Sequence, residues 1–213
     1  FICNHSDHNG RYAFNQQPYI GLWNLSCLAQ ALLPLAEKDA LKAGLEIYQP
    51  LFEREYLTLM RKKFGLVAEQ AEDDELIRDF LGLLQGSHAD YTIVFRELST
   101  FSTVDGATNE QLREHFLNRD RFDEWAVRYR ERLRHECNHD DERRGRMNRV
   151  NPRYVLRNYL AQTAIEKAQN KDFSEIDRLF TLLQDPFTDQ QGMEAYALPP
   201  PNWGKHLAVS CSS

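Results

Sequence analysis

Phe122, Trp125, Ala126, Tyr129 and Leu133 recur at intervals of three and four residues. That spacing lines one face of an α-helix and no face of a strand. The same period returns along most of the chain. Leu22, Leu25, Ala29, Leu32 and Leu33 share a face of a helix opened by Pro18 and ended by Pro34. Leu41, Leu45, Tyr48, Phe52, Tyr56, Leu59 and Met60 mark a second, spanning 37–64, which Pro50 should kink or split and Gly65 should stop. No run alternates with period two, and no Asn-Gly turn joins two such runs. The fold class read from this pattern is all-α.

Further helices follow from their start signals. The acidic run Glu72-Asp73-Asp74-Glu75 suits the positive end of a helix dipole. Leu76, Phe80, Leu83 and Leu84 form the inner face behind it. Asp90 predicts an N-cap for a helix over 91–101, and Asn109 one for a short helix to Leu117. The helix carrying Trp125 is predicted over 119–137. The charged stretch 139–150 reads as a connection or an exposed helix. Asn151-Pro152 pairs an N-cap with Pro at the first helical position, predicting a helix with Val155, Leu156, Tyr159, Leu160 and Ile165 inward. A last helix is expected over 174–183, and from Thr188 the pattern dissolves.

The chain has 213 residues, enough for a buried core, and a formal net charge of −6. That balance makes it a poor nucleic-acid binder. No apolar run approaches the length of a membrane span. Its four cysteines, Cys3, Cys27, Cys137 and Cys211, show no Cys-x-x-Cys spacing, which argues against a disulfide scaffold or a four-cysteine zinc site. A reducing compartment is the default for such a chain. Phe1 opens in mid-loop without an initiator Met, and the chain reads as part of a longer protein.

Three groups of residues invite chemistry. The opening Cys3-Asn4-His5-Ser6-Asp7-His8 gathers zinc-ligand types in a non-helical segment, although so many ligands in so few residues would crowd one ion. His135-Glu136-Cys137-Asn138-His139 fits His-Glu-x-x-His, in which two His one turn apart hold zinc beside a general base. Its flanks are charged and no third ligand is evident, so a zinc hydrolase is the remote alternative. Arg143, Arg144, Arg146, Arg149, Arg153 and Arg157 form a basic patch that could meet phosphate, but pairing with neighbouring Asp and Glu is the favoured reading. There is no Gly-rich phosphate loop and no nucleophile elbow. From the residues alone, a non-catalytic helical interaction domain is as much as the chain supports.

A resemblance goes further. Phe1 to Tyr12, Gln17-Pro18, Leu22-Trp23-Asn24-Leu25, the stretch 150–161, Asp172-Phe173 and the ending Val209-Ser210-Cys211-Ser212-Ser213 resemble the selenoprotein O family. That family has a protein-kinase-like fold turned to moving AMP from ATP onto protein hydroxyls. The resemblance implies that residues 1–17 are an activation-segment-like loop, 18–187 a helical C-lobe, and 188–213 an extended tail. The family's ATP and Mg²⁺ ligands precede the part that this chain resembles, so it implies no catalytic, cofactor or metal residue here. It implies instead a missing N-terminal catalytic lobe as partner, protein substrates, and a bacterial cytoplasmic setting, since Cys211 stands where some members carry selenocysteine. A redox disulfide between Cys3 and Cys211 would then clamp the loop to the tail. Asn4, His5, Asp7, Arg11 and Tyr12 would face the substrate hydroxyl or support the metal-binding Asp upstream.

Overall fold

The computed structural model describes residues 7–136, 139–205 and 207. Among them every regular element is helical, as the periodicity predicts. The chain divides into two compact units, one drawn from 1–57 and 203–213, the other from 58–202.

In the first unit, a 3₁₀ turn over Phe14–Gln16 leads into α1, Gln17–Ala31, with Pro18 in its first turn. There its missing N–H is no loss, because the first N–H groups of a helix have no partner within it. A turn through Leu32, Leu33, Pro34 and Leu35 follows, then α2, Lys38–Glu46, and α3, Tyr48–Lys63. The predicted single helix over 37–64 is therefore split at Ile47. Pro50 falls in the first turn of α3, where it is tolerated. α1 packs on α2, and Tyr48 Oη donates to the Pro18 carbonyl at 3.0 Å. Gly21 permits this approach, since a Cβ there would lie 2.7 Å from the Tyr48 oxygen.

The end of α3 belongs to the second unit. Leu66 N donates to the Arg61 carbonyl (2.9 Å) and Gly65 N to that of Lys62 (3.1 Å), with Gly65 at φ 73°. This is a Schellman stop of the kind the glycine predicts. A Cβ on Gly65 would also strike Arg143 Cγ at 2.6 Å.

Around that turn gather α4 (Asp73–Ser87), α5 (Tyr91–Leu98), α6 (Glu110–Arg113), α7 (Arg119–Arg134) and α8 (Asp140–Asn148). Their core is aromatic. Phe64 meets Phe80 and Phe95 edge-on at 5.3 and 5.4 Å, and Trp125 stacks on Tyr129 at 4.7 Å. Both polar tips are satisfied, as buried Tyr and Trp require: Trp125 Nε1 donates to the Leu76 carbonyl (2.9 Å) and Tyr129 Oη to that of Phe64 (2.7 Å). Every inward residue predicted for α7 is buried. A smaller cluster of Leu160, Ala164 and Leu179 joins α9, Asn158–Gln169, to α10, Ser174–Gln184.

Three local predictions change. Asn109 stands at the N-cap position of α6 but makes no side-chain capping bond; its side-chain oxygen accepts from Ser102 N at 2.6 Å and closes the 102–109 loop instead. Stretch 139–150 holds the helix Asp140–Asn148, packed rather than exposed, with Arg143 and Met147 buried. Asn151-Pro152 does not open a helix. Asn151 is buried and donates Nδ2 to the Lys63 carbonyl (2.9 Å), while Arg153 N and Tyr154 N both bond the Pro186 carbonyl. These long-range bonds hold 152–157 out of helical geometry, and α9 begins only at Asn158.

Candidate functional site

The opening loop is organised by Asp7. Its Oδ1 accepts from Arg11 N and its Oδ2 from Tyr12 N, each at 2.8 Å, while its carbonyl accepts from Gly10 N at 3.0 Å. A short acceptor side chain closing a turn on its own backbone is the usual use of Asp in such a loop. Gly10, at φ 65°, supplies the left-handed step. The turn presents Arg11 outward, and its guanidinium lies over the Trp23 ring of α1 at 4.5 Å and the Tyr12 ring at 5.7 Å. Arg11 and Tyr12 are exposed, whereas Asp7 directs both carboxylate oxygens at backbone. Asp7 thus positions the loop, and Arg11 and Tyr12 are the groups it offers. Cys3, Asn4 and His5 lie outside the described residues, as do Cys137 and Cys211, so the Cys3–Cys211 pairing lies outside them too. Cys27, on α1, is a free exposed thiol.

The His-Glu-x-x-His motif does not form the helix it requires. His135 ends α7 and His139 precedes α8. Glu136, cast by the motif as a base, instead accepts from Arg132 Nη1 (2.7 Å) and Ala68 N (3.1 Å). It completes a buried ionic network. Asp73 is fully buried and takes Arg132 Nε at 2.7 Å, Arg61 Nε at 3.1 Å and Gln70 N at 3.0 Å. Burial works against the Arg132 charge, but Asp73 and Glu136 more than offset it and raise its pKa above the ordinary value. Among the described residues, no three His, Cys, Asp or Glu side chains are grouped to hold a metal ion.

Three of the six arginines in the patch, Arg143, Arg153 and Arg157, form ion pairs, the reading favoured from sequence. Arg157 binds Asp90 through both terminal nitrogens, at 2.6 and 3.1 Å. Burial pushes the Asp90 carboxyl up, but Arg157 and the N–H groups of Ile93 and Thr92 outweigh it and hold the pKa below the ordinary value. Arg153 and Arg96 reach Asp189 at 3.0 and 3.6 Å. Arg143 is buried, bonding Asp140 Oδ1 at 2.7 Å and the Phe101 carbonyl.

Sequence reasoning missed Lys63. Its ammonium sits over the Phe95 ring at 4.8 Å and the Tyr91 ring at 5.4 Å, and desolvation lowers its pKa to about 8. It missed the Asp73–Arg132 pair as well, because the partners lie 59 residues apart. An open depression of about 320 Å³ between α4 and α7, lined by Asp79, Arg121, Glu124 and Arg128 among others, touches none of the loop residues.

Comparison with known proteins places these features in a family. The model of the family described as "Protein adenylyltransferase SelO" matches residues 1–184. The chain is 52% identical over 213 residues to the protein nucleotidyltransferase YdiU of Myxococcus xanthus, and 50% identical over 214 residues to that of Pseudomonas fluorescens strain SBW25. It is 52% identical over 219 residues to the YdiU of Thioalkalivibrio sulfidiphilus. In each case all of this chain is covered, and it spans about 44% of the relative's length.

Proposed function

Because the chain belongs to the SelO family of protein adenylyltransferases, we propose that it is the C-terminal part of an enzyme that moves AMP from ATP to Ser, Thr or Tyr hydroxyls of proteins. The full-width match to relatives named protein nucleotidyltransferases carries this reading. The chemistry would be attack by a protein hydroxyl on the α-phosphate of ATP: a P–O bond to the protein forms, the α–β bond breaks, pyrophosphate leaves and the hydroxyl proton passes to a base. Residues outside this chain would hold the ATP and its Mg²⁺. What the chain itself contributes is substrate docking and gating. Asp7 ties down the turn that carries Arg11 and Tyr12, and the Arg11 guanidinium is a cation suited to developing phosphate charge or to the substrate. A Cys3–Cys211 disulfide would hold this loop against the tail in an oxidised cell and release it on reduction. The setting proposed is the bacterial cytoplasm.

The test is transfer of label from [α-³²P]ATP to protein by a polypeptide that joins this chain to the upstream portion of its relatives. Labelling is expected from the joined polypeptide and none from the 213 residues alone. Arg11→Ala should lower transfer at least about tenfold with unchanged melting, as loss of one charge-stabilising contact does. Absence of transfer by the joined polypeptide, with ATP and Mg²⁺ present, would sink the reading. Peptide mapping without reductant reads the Cys3–Cys211 linkage directly, and finding both thiols free after oxidation would remove the gate.

A further inference from the structure

From Tyr12 to Ala36 there is no Asp, Glu, Lys, Arg or His. α1 lies at the centre of this stretch, and not one of its residues is buried. Tyr19, Trp23, Leu25 and Leu28 are 73, 52, 40 and 55% exposed, and at 100° per residue they point around the helix rather than to one side. A helix that is apolar on all sides belongs in an interior or a membrane. At 15 residues α1 is roughly 22 Å long, well short of a hydrocarbon core of about 30 Å. Its neighbours α2 and α3 carry the charges that water requires, among them Lys38, Asp39, Lys42, Glu53 and Glu55.

We propose that α1 is an interior helix of a longer polypeptide, and that what covers it is the part its relatives carry and this chain does not span. This rests on reading the chain as a portion of the adenylyltransferase. More than half of each relative's length lies outside the match, which is enough polypeptide to enclose a helix. A second copy of this chain fits the surface less well. A two-fold interface joins one self-complementary patch to itself, whereas the uncovered residues wrap around α1.

Cys27 is the reporter, because it lies on α1 and is exposed in this chain. Maleimide labelling would be followed by mass spectrometry of the Cys27 peptide, in the 213-residue chain and in the longer polypeptide. The Cys27 thiol is expected to react freely in the former and about a hundredfold more slowly in the latter, as for a group exposed only by opening of the fold. Comparable rates in both would overturn the proposal. So would protection that fades on dilution as a dimer dissociates, which would assign the face to a second copy. AMP transfer measured on the same sample separates the two readings. Protected Cys27 without transfer leaves the interior helix standing and removes the activity, whereas a freely reacting Cys27 in an active enzyme does the reverse. Leu28→Glu gives a second readout. It should leave the melting of the 213-residue chain unchanged and abolish soluble folding of the longer polypeptide; equal tolerance in both would also overturn the proposal.

Discussion

α1 and α7 have contrary compositions and contrary fates. α7 is crowded with Arg, Asp and Glu, yet it buries Phe122, Trp125, Ala126, Tyr129, Arg132 and Leu133. α1 carries no charge and buries nothing. The same contrast holds between the regions they belong to. Each helix from α4 to α10 buries at least one residue. Among the described residues up to Leu57, Ala13 is the one buried hydrophobic. A core is made by apolar stripes that have partners, and not by apolar content. α7 has its partners in α4 and the end of α3, whereas α1 packs on α2 and, among the described residues, leaves the rest of its surface open.

The sharpest way to break this comparison is to treat two tryptophans alike. Trp125→Ala should destabilise the 58–202 unit by about 3–5 kcal/mol, because it opens a cavity among packed rings and orphans the Leu76 carbonyl. Trp23→Ala in the same 213-residue chain should stay within about 0.5 kcal/mol, as exposed positions do. Urea unfolding followed by circular dichroism reads both, and similar losses would refute the division into a region with a core and a region without one.

Next in size is Arg132→Met. It leaves Asp73 fully buried with Arg61 as its remaining charge partner, and a loss of about 3 kcal/mol is expected in the same assay. A neutral result would mean that the network contributes specificity rather than stability.

A smaller effect is expected at Asp90, which caps α5 through Ile93 N at 3.0 Å and binds Arg157. Asp90→Ala should cost about 1–2 kcal/mol at pH 7. The folded carboxyl titrates below its ordinary value, so the contribution of its charge is present above about pH 4 and is lost as pH falls through the depressed folded pKa. The gap between wild type and variant should therefore narrow in acid, and thermal melts at pH 7 and pH 3 check this.

The least change should come from Lys63→Met. With its pKa lowered to about 8, the ammonium is charged at neutral pH in both folded and unfolded chains, and its burial opposes folding there. As pH rises from about 8 toward the unfolded value near 10.4 the unfolded chain holds the extra proton, so wild-type stability gains with pH. The variant should melt slightly higher than wild type at pH 7, and the advantage should vanish by about pH 10. A destabilised variant at pH 7 would show that the rings of Tyr91 and Phe95 hold the cation more strongly than desolvation opposes it.

Much of the fold was legible in the residues because local rules agreed with tertiary need. Pro18 opens α1, Gly65 stops α3, Asp90 caps α5, and the stripe on α7 is buried as spaced. Legibility ended where a side chain preferred a distant partner to its local role. Asn151 has the sequence of a cap and serves as a tether to Lys63. Glu136 has the sequence of a zinc-site base and serves as an acceptor for Arg132 and Ala68. Of the candidate loop, Asp7 is the residue whose part is visible, and it acts on the backbone.

Period and punctuation determine most of the helices, their order and their apolar stripes, because these depend on residues within one or two turns of each other, but not which stripes are buried: Leu59, on the stripe of α3, and Leu156, read as inward, are each 55% exposed. They also carry the family resemblance, which is written in short local motifs. Only the tertiary structure decides which charges are buried as pairs, since Asp73 and Arg132 meet across 59 residues. Only it reveals that α1, which carries no charge, packs on α2 yet has no buried residue among those described. Helix formation is local and needs no partner, whereas burial is a relation between surfaces and needs both of them to be present.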